Sequence, residues 1–197
     1  MEHITIEELE LRALQTVNTC DGIQPMHTPF YTLSIGYSAE RCLSAFDLYE
    51  RLLENNAEPA ALISAVQEAV GHAGALSRYF WPSPSGKRNN QYELKLARGK
   101  KLRDIYKINE NSPLANRELR NAWEHFDEKL DSYVLSNDAG YFFPTPIMES
   151  HTLADDPIGK IFKLIDPHNH CLVLLGKKFF FEAIRCEVEK IFARTAE

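Results

Sequence analysis

Between Cys42 and Phe80 apolar residues recur at intervals of three and four with one short interruption, and this spacing restricts the fold more than any other feature of the chain. Cys42, Leu43, Phe46, Tyr49, Leu52 and Leu53 mark a helix from about Ser38 to Asn55-Asn56. Leu62, Val66, Ala69, Ala73, Leu76 and Phe80 mark a second. Pro59 suits the first turn of the second helix, where its missing N–H is not needed, and Trp81-Pro82 closes it. The break between them is short, so they read as neighbours in an up-and-down helical bundle.

Further helices fill out a mainly α chain of four to five helices. Thr5 and Glu8 form a capping-box pattern that opens a helix reaching about Asn18. Cys20 to Thr32, with Gly22, Pro25 and Pro29, reads as a loop, and so does Ser83 to Asn90. Gln91 to Ile108 reads as helix despite Gly99. Ser112-Pro113 then supplies an N-cap and a preset first residue for a long helix to about Leu135, whose core face is Leu119, Ala122, Trp123, Phe126, Leu130, Tyr133 and Val134. Residues 1–136 form the bundle, and 137–157, with Gly140, Pro144, Pro146 and Pro157, an irregular crossing segment packed through Tyr141, Phe142 and Phe143. In residues 158–197 the period changes. Lys160 to Ile165 and Cys171 to Leu175 flank the turn Asp166-Pro167-His168-Asn169-His170 as a β-hairpin, and Phe180 to Ala193 returns to helical spacing. The whole is expected to be a single domain, a bundle with a hairpin-and-helix appendage.

Several classes of protein are excluded. With 44% hydrophobic and 25% charged residues the 197-residue chain is neither disordered nor a disulfide scaffold. The longest apolar runs, Leu172 to Leu175 and Phe179 to Phe181, fall far short of the ~20 residues of a membrane span. The amino terminus lacks the basic-then-apolar pattern of a secretory signal, so the expected location is the cytoplasm. Cys20, Cys42, Cys171 and Cys186 are irregularly spaced and read as reduced, mostly buried thiols.

Charge is unevenly distributed. Lys87, Arg88, Lys95, Arg98, Lys100, Lys101, Arg103 and Lys107 face only Glu93 and Asp104, a surplus of six positive charges on a chain of net charge -6. Phosphate binding needs such a stretch, since each neutralised phosphate releases counterions; a solvated helix face is its other reading. Arg78, at the end of the preceding helix, is a further candidate for a phosphate contact.

The segment Arg120-Asn121-Ala122-Trp123-Glu124-His125 carries the clearest chemistry. On a continuous helix Asn121 and His125 lie about 40° apart, away from the apolar stripe, with Asn121 placed to hold the imidazole in one tautomer or to touch a ligand. Arg120 is about 140° from His125, so the two share a site only if a neighbouring helix or a second copy of the chain closes it. A histidine can move the 2′-OH proton of RNA, and a guanidinium can neutralise the phosphate as it becomes pentavalent. A surface Arg120–Glu124 pair is the plainer reading of the same spacing.

With Ser112-Pro113-Leu114-Ala115-Asn116-Arg117 before it and Phe126-Asp127-Glu128 after it, this segment resembles the R-x4-6-H signature of HEPN domains (higher eukaryotes and prokaryotes nucleotide-binding), in particular an uncharacterised bacterial subset. The resemblance covers about 38–135. It implies a metal-independent endoribonuclease acting as a homodimer without a cofactor and leaving 2′,3′-cyclic phosphate and 5′-OH ends. Arg120 would stabilise the phosphate, His125 act as base or acid, and Asn121 be the polar residue after the arginine. It also implies a toxin or defence role beside a partner antitoxin. Relatives that only bind RNA supply the alternative, a non-catalytic module for RNA, a nucleotide or a protein.

Weaker patterns remain. His168, His170 and Cys171, with Cys186 in reach, are a candidate zinc cluster without structural-zinc spacing, and no metal is expected. Glu68 and His72 read as a satisfied i,i+4 pair, and Gly71-His72-Ala73-Gly74 as a close helix crossing. Zincin, nucleophile-elbow, P-loop and dinucleotide-binding motifs are missing.

Overall fold

The computed structural model describes residues 4–84 and 86–195 and is mainly helical. Two long helices, α2 (Thr28–Glu54) and α3 (Pro59–Phe80), pack along one another and supply most of the core, with Phe46, Tyr49, Leu62, Val66, Leu76 and Phe80 buried between them and their neighbours. α1 (Ile6–Cys20) begins as its sequence predicts, with Thr5 Oγ1 accepting the Glu8 amide at 3.2 Å. It lies against α4 (Asn90–Tyr106), whose cap is Asn89. The Glu10 carboxylate joins the two by accepting the Asn90 amide and the Gln91 side chain, both at 2.7 Å.

Three expectations are corrected. α2 starts at Thr28, ten residues before Ser38, because both prolines that suggested a loop sit where helices tolerate them. Pro29 occupies the first turn of α2 and Pro25 opens a 3-10 turn, Pro25–His27. The long helix expected from Ser112 to Leu135 is three pieces, a 3-10 turn at Pro113–Ala115, α5 (Glu118–Glu124) and α6 (Phe126–Ser136). Neither Pro nor Gly divides α5 from α6. The two halves serve different surfaces, since Leu119 and Ala122 pack on α3 while Phe126 meets Phe162 edge-on and Tyr133 reaches Gly176. Of the expected core face, Val134 is exposed.

The third correction concerns the carboxyl-terminal third. The hairpin is the centre of a four-stranded sheet with the order β2 (Ile147–Met148), β4 (Lys163–Asp166), β5 (Cys171–Leu174) and β6 (Lys177–Phe180). β4 and β5 are antiparallel with Asp166 opposite Cys171, while β2 runs parallel to β4. A separate parallel pair joins β1 (Tyr141–Phe143) to β3 (Gly159–Ile161). Leu175 and Gly176, both at positive φ, form the two-residue turn from β5 to β6. Every residue of β5 is buried because both faces of the sheet are covered. Leu172 and Leu174 face the bundle, whereas Cys171 and Val173 join Ile161 and Leu164 in a small second core. α7 (Glu182–Ala193) returns to α2, burying Val188 and Ile191 and pairing Arg185 with Glu50 at 2.8 Å. The sheet and α7 are thus part of the main core. Among the described residues no helix is long and apolar enough to cross a membrane.

Candidate functional site

α5 is anchored by Leu119 and Ala122, and this sets the direction of Arg120. The stem of Arg120 lies on Gly74 of α3, where a Cβ would stand 2.5 Å from Cδ. The side chain is only 16% exposed. Its Nη2 donates to Asn121 Oδ1 at 2.9 Å, and its Nε lies 3.3 Å from Glu124 Oε2. Nη1 is buried without a hydrogen-bond partner. The other Glu124 oxygen accepts Arg78 Nη2 at 3.0 Å. Arg117 completes the group by donating to the Trp81 carbonyl and Ser83 Oγ. Burial lowers its pKa, and the positive charges of Arg120 and Arg78 lower it further. The guanidiniums of Arg78 and Arg120 thus share the Glu124 carboxylate, and Arg117 lies close enough to both to feel their charge, leaving the junction of α3 and α5 positive. The cavity beside Arg120, lined by Gly74, Ser77, Leu114, Arg117 and Ile184, holds about 20 Å³, room for a water but not for a nucleotide.

His125 occupies the break between α5 and α6 at φ -118° and ψ 35°. Its ring is 55% exposed, and Nδ1 lies 3.6 Å from Glu128 Oε2. Within one chain the inward Arg120 and the outward His125 serve different surroundings. Asn121 does not hold the imidazole. Its side chain is turned to Arg120, and only its backbone carbonyl accepts the His125 N–H, at 3.2 Å.

The basic stretch is not one patch. Lys101 Nζ caps α1 by donating to the Cys20 and Ile23 carbonyls at 2.7 and 3.2 Å. Arg103 binds the Phe80 carbonyl and Glu110 and lies over the Trp81 ring. Arg98 lies over Tyr31 and reaches the Arg78 carbonyl at 3.4 Å, and Arg88 pairs with Glu93. Lys87, Lys95, Lys100 and Lys107 are exposed. Lys95 and Lys100 stand about 140° apart on α4, so these ammoniums do not form a single row.

The candidate zinc residues do not converge, and no three metal-ligating side chains do among the described residues. His168 is exposed, while His170 Nδ1 faces Glu182 Oε2 at 3.5 Å. Cys171 is buried in the second core, and burial pushes its thiol up to about 11. Cys186 Sγ lies 3.6 Å from Glu182 Oε1. Glu68 pairs with His72 at 3.8 Å and also with Arg41 at 3.2 Å.

Sequence reasoning missed two features. His151 Nδ1 donates to the buried Asp166 Oδ2 at 2.6 Å, beside a cavity of about 580 Å³ lined by Ser150, Pro167, His168 and Asn169. Asp166 was legible only as the start of a turn, and nothing near His151 announced its partner fifteen residues on. Lys163 Nζ sits 4.7–5.0 Å from the ring centres of Trp123, Phe126 and Phe162, and burial lowers its pKa. A lysine inside a hairpin strand gave no such signal.

Fold and site together define a mainly helical protein with a positively charged helix junction beside an exposed histidine. Compared with protein-family models, with curated proteins and with solved structures, the chain matches none.

Proposed function

We propose that the protein is a HEPN-like, metal-independent endoribonuclease whose site is built from Arg120, Asn121 and His125 and completed by a second copy of the chain. The observation that carries this reading is an exposed imidazole at the α5–α6 break in the residue that follows Glu124, whose carboxylate Arg78 and Arg120 share. The Nε2 atom of His125 takes the 2′-OH proton, the 2′-oxygen attacks phosphorus, and the partner's His125 returns a proton to the leaving 5′-oxygen. Arg120, released from Glu124, meets the phosphate as charge builds on it, with Arg78 as a second contact to the RNA backbone. A partner protein of the antitoxin kind would act by covering this surface.

The test is cleavage of a mixed labelled RNA pool in excess EDTA by wild type and His125→Ala, both checked for folding. We expect wild type alone to leave 2′,3′-cyclic phosphate ends, with at least a hundredfold loss in the variant. Equal activity, or none in either, removes the nuclease. A second reading, a non-catalytic RNA-binding module, is favoured by the commitment of Arg120 to Asn121, Glu124 and Gly74, which are structural contacts. It predicts salt-sensitive RNA binding that His125→Ala leaves intact.

A further inference from the structure

α2 buries one face, along Ile35, Ala39, Cys42, Phe46 and Tyr49. At about 100° per residue, Phe30, Leu33 and Tyr37 lie about 160–220° from that line, where a helix of this kind carries polar residues. They are instead 70, 73 and 64% exposed, and Met26, in the 3-10 turn just before the helix, is 73% exposed. Past Tyr37 the outer face turns mostly polar, with Glu40, Arg41, Ser44 and Arg51 around the less exposed Leu48. An apolar stripe on the side opposite the core, limited to one end of a helix, has no role in folding the chain.

We propose that this stripe is where two copies of the chain pair, with their α2 helices antiparallel about a two-fold axis. Three observations select a second copy as the occupant. The intervals along Met26, Phe30, Leu33 and Tyr37 are four, three and four, which read the same in both directions. An antiparallel two-fold therefore sets Phe30 against the partner's Leu33 and Met26 against the partner's Tyr37, the self-complementarity an isologous contact requires. The eighteen residues 22–39 contain no Asp, Glu, Lys or Arg, although such residues make up 25% of the chain, so two copies meet there without opposing like charges. Four large side chains exposed to this extent offer on the order of 500 Å² per copy, and the roughly 1,000 Å² of the pair reaches the lower bound of specific interfaces. A lipid surface fits less well, since interfacial helices flank their apolar face with Lys and Arg, and this stretch has neither. The pairing does not rest on the ribonuclease reading, and its test does not involve RNA.

The experiment is light-scattering mass and far-UV circular dichroism of the full chain as wild type, Leu33→Glu and Phe30→Glu. We expect each variant to keep the wild-type helical spectrum, since both positions face away from the core, and to have half the wild-type mass. A wild-type particle of monomer mass well above micromolar concentration overturns the pairing, whatever else the stripe then binds. So does a variant that keeps the wild-type mass. Direction is tested by oxidising Phe30→Cys and Leu33→Cys proteins separately and mixed. Cross-linked dimer is expected only from the mixture, and cross-linking of either variant with itself overturns the antiparallel arrangement.

Discussion

Asp166 is 2% exposed, yet it stays ionised far below the usual carboxylate range. Burial alone would push its pKa up. The opposing cause is four hydrogen bonds, from the amide and Nδ1 of His151 and from the amide and Nδ2 of Asn169, and together they prevail. The carboxylate thereby holds the β4–β5 turn to the 3-10 segment His151–Asp155. Because its folded pKa is depressed, its stabilisation is complete above the unfolded carboxyl value of about 4 and is lost as pH falls below that toward the folded value. Asp166→Asn keeps the shape but loses the charge and presents N–H to N–H. It should cost about 2–4 kcal/mol near neutral pH, measured by urea unfolding, with the gap to wild type narrowing below about pH 4. A gap that is unchanged down to pH 3 would mean that the carboxylate charge is not what holds the turn. None of this was legible in the sequence, where Asp166 is one polar residue in a turn, because His151 lies in a segment with no period to place it.

At the level of elements, α3 contains two glycines that the sequence treats alike and the structure does not. Gly71 faces open space, whereas a Cβ on Gly74 would meet Arg120 Cδ at 2.5 Å and Cγ at 2.9 Å. The reading of Gly71 to Gly74 as a close crossing holds at Gly74, and the element that crosses is α5. Both glycines weaken the helix, so Gly71→Ala should stabilise the protein by about 0.5–1 kcal/mol. Gly74→Ala gains the same propensity but must displace a mostly buried arginine, and the result should be a net loss of about 1 kcal/mol. Melting temperatures shifting in opposite directions would check the pair. Equal stabilisation would mean that Arg120 does not rest on α3. The boundaries of α1 and α3 were legible because the Thr5 cap, Pro59 and the apolar period agree there, and that of α4 because the polar, breaker-rich stretch before it ends at Asn90. The α5–α6 break was not, because Ala122 to Leu130 keeps helical spacing through His125, and the division comes from two packing partners rather than from a local breaker.

For the whole molecule, the sequence separated a helical bundle from a carboxyl-terminal hairpin and helix because the hydrophobic period changes near residue 158. The change of period is real, but it marks a change of secondary structure within one core. β1 and β2 are two or three residues long and pair in parallel with strands remote in sequence, so no alternating pattern could have announced them, and the strand expected from Lys160 to Ile165 is divided between β3, which pairs with β1, and β4. Phe181, between β6 and α7, shows how closely the parts are joined. It is buried against Phe46 with the rings stacked at 5.9 Å, meets Tyr49 edge-on at 5.6 Å and the His170 ring at 5.8 Å, and donates its amide to the His170 carbonyl at 2.9 Å. One side chain thus contacts α2 and the hairpin turn from the start of α7. Phe181→Ala should cost about 3–5 kcal/mol, the range for deleting a large buried aromatic ring. Because bundle and sheet share that ring, the loss should lower the midpoint of a single transition, with far-UV and near-UV signals changing together in urea. An appendage would behave otherwise. If the sheet were merely laid on the bundle, the variant would unfold in two steps, the first losing the strands and α7 while the near-UV signal of Trp81 and Trp123 in the bundle kept its wild-type midpoint, and that outcome would return residues 158–197 to the status of a separate unit.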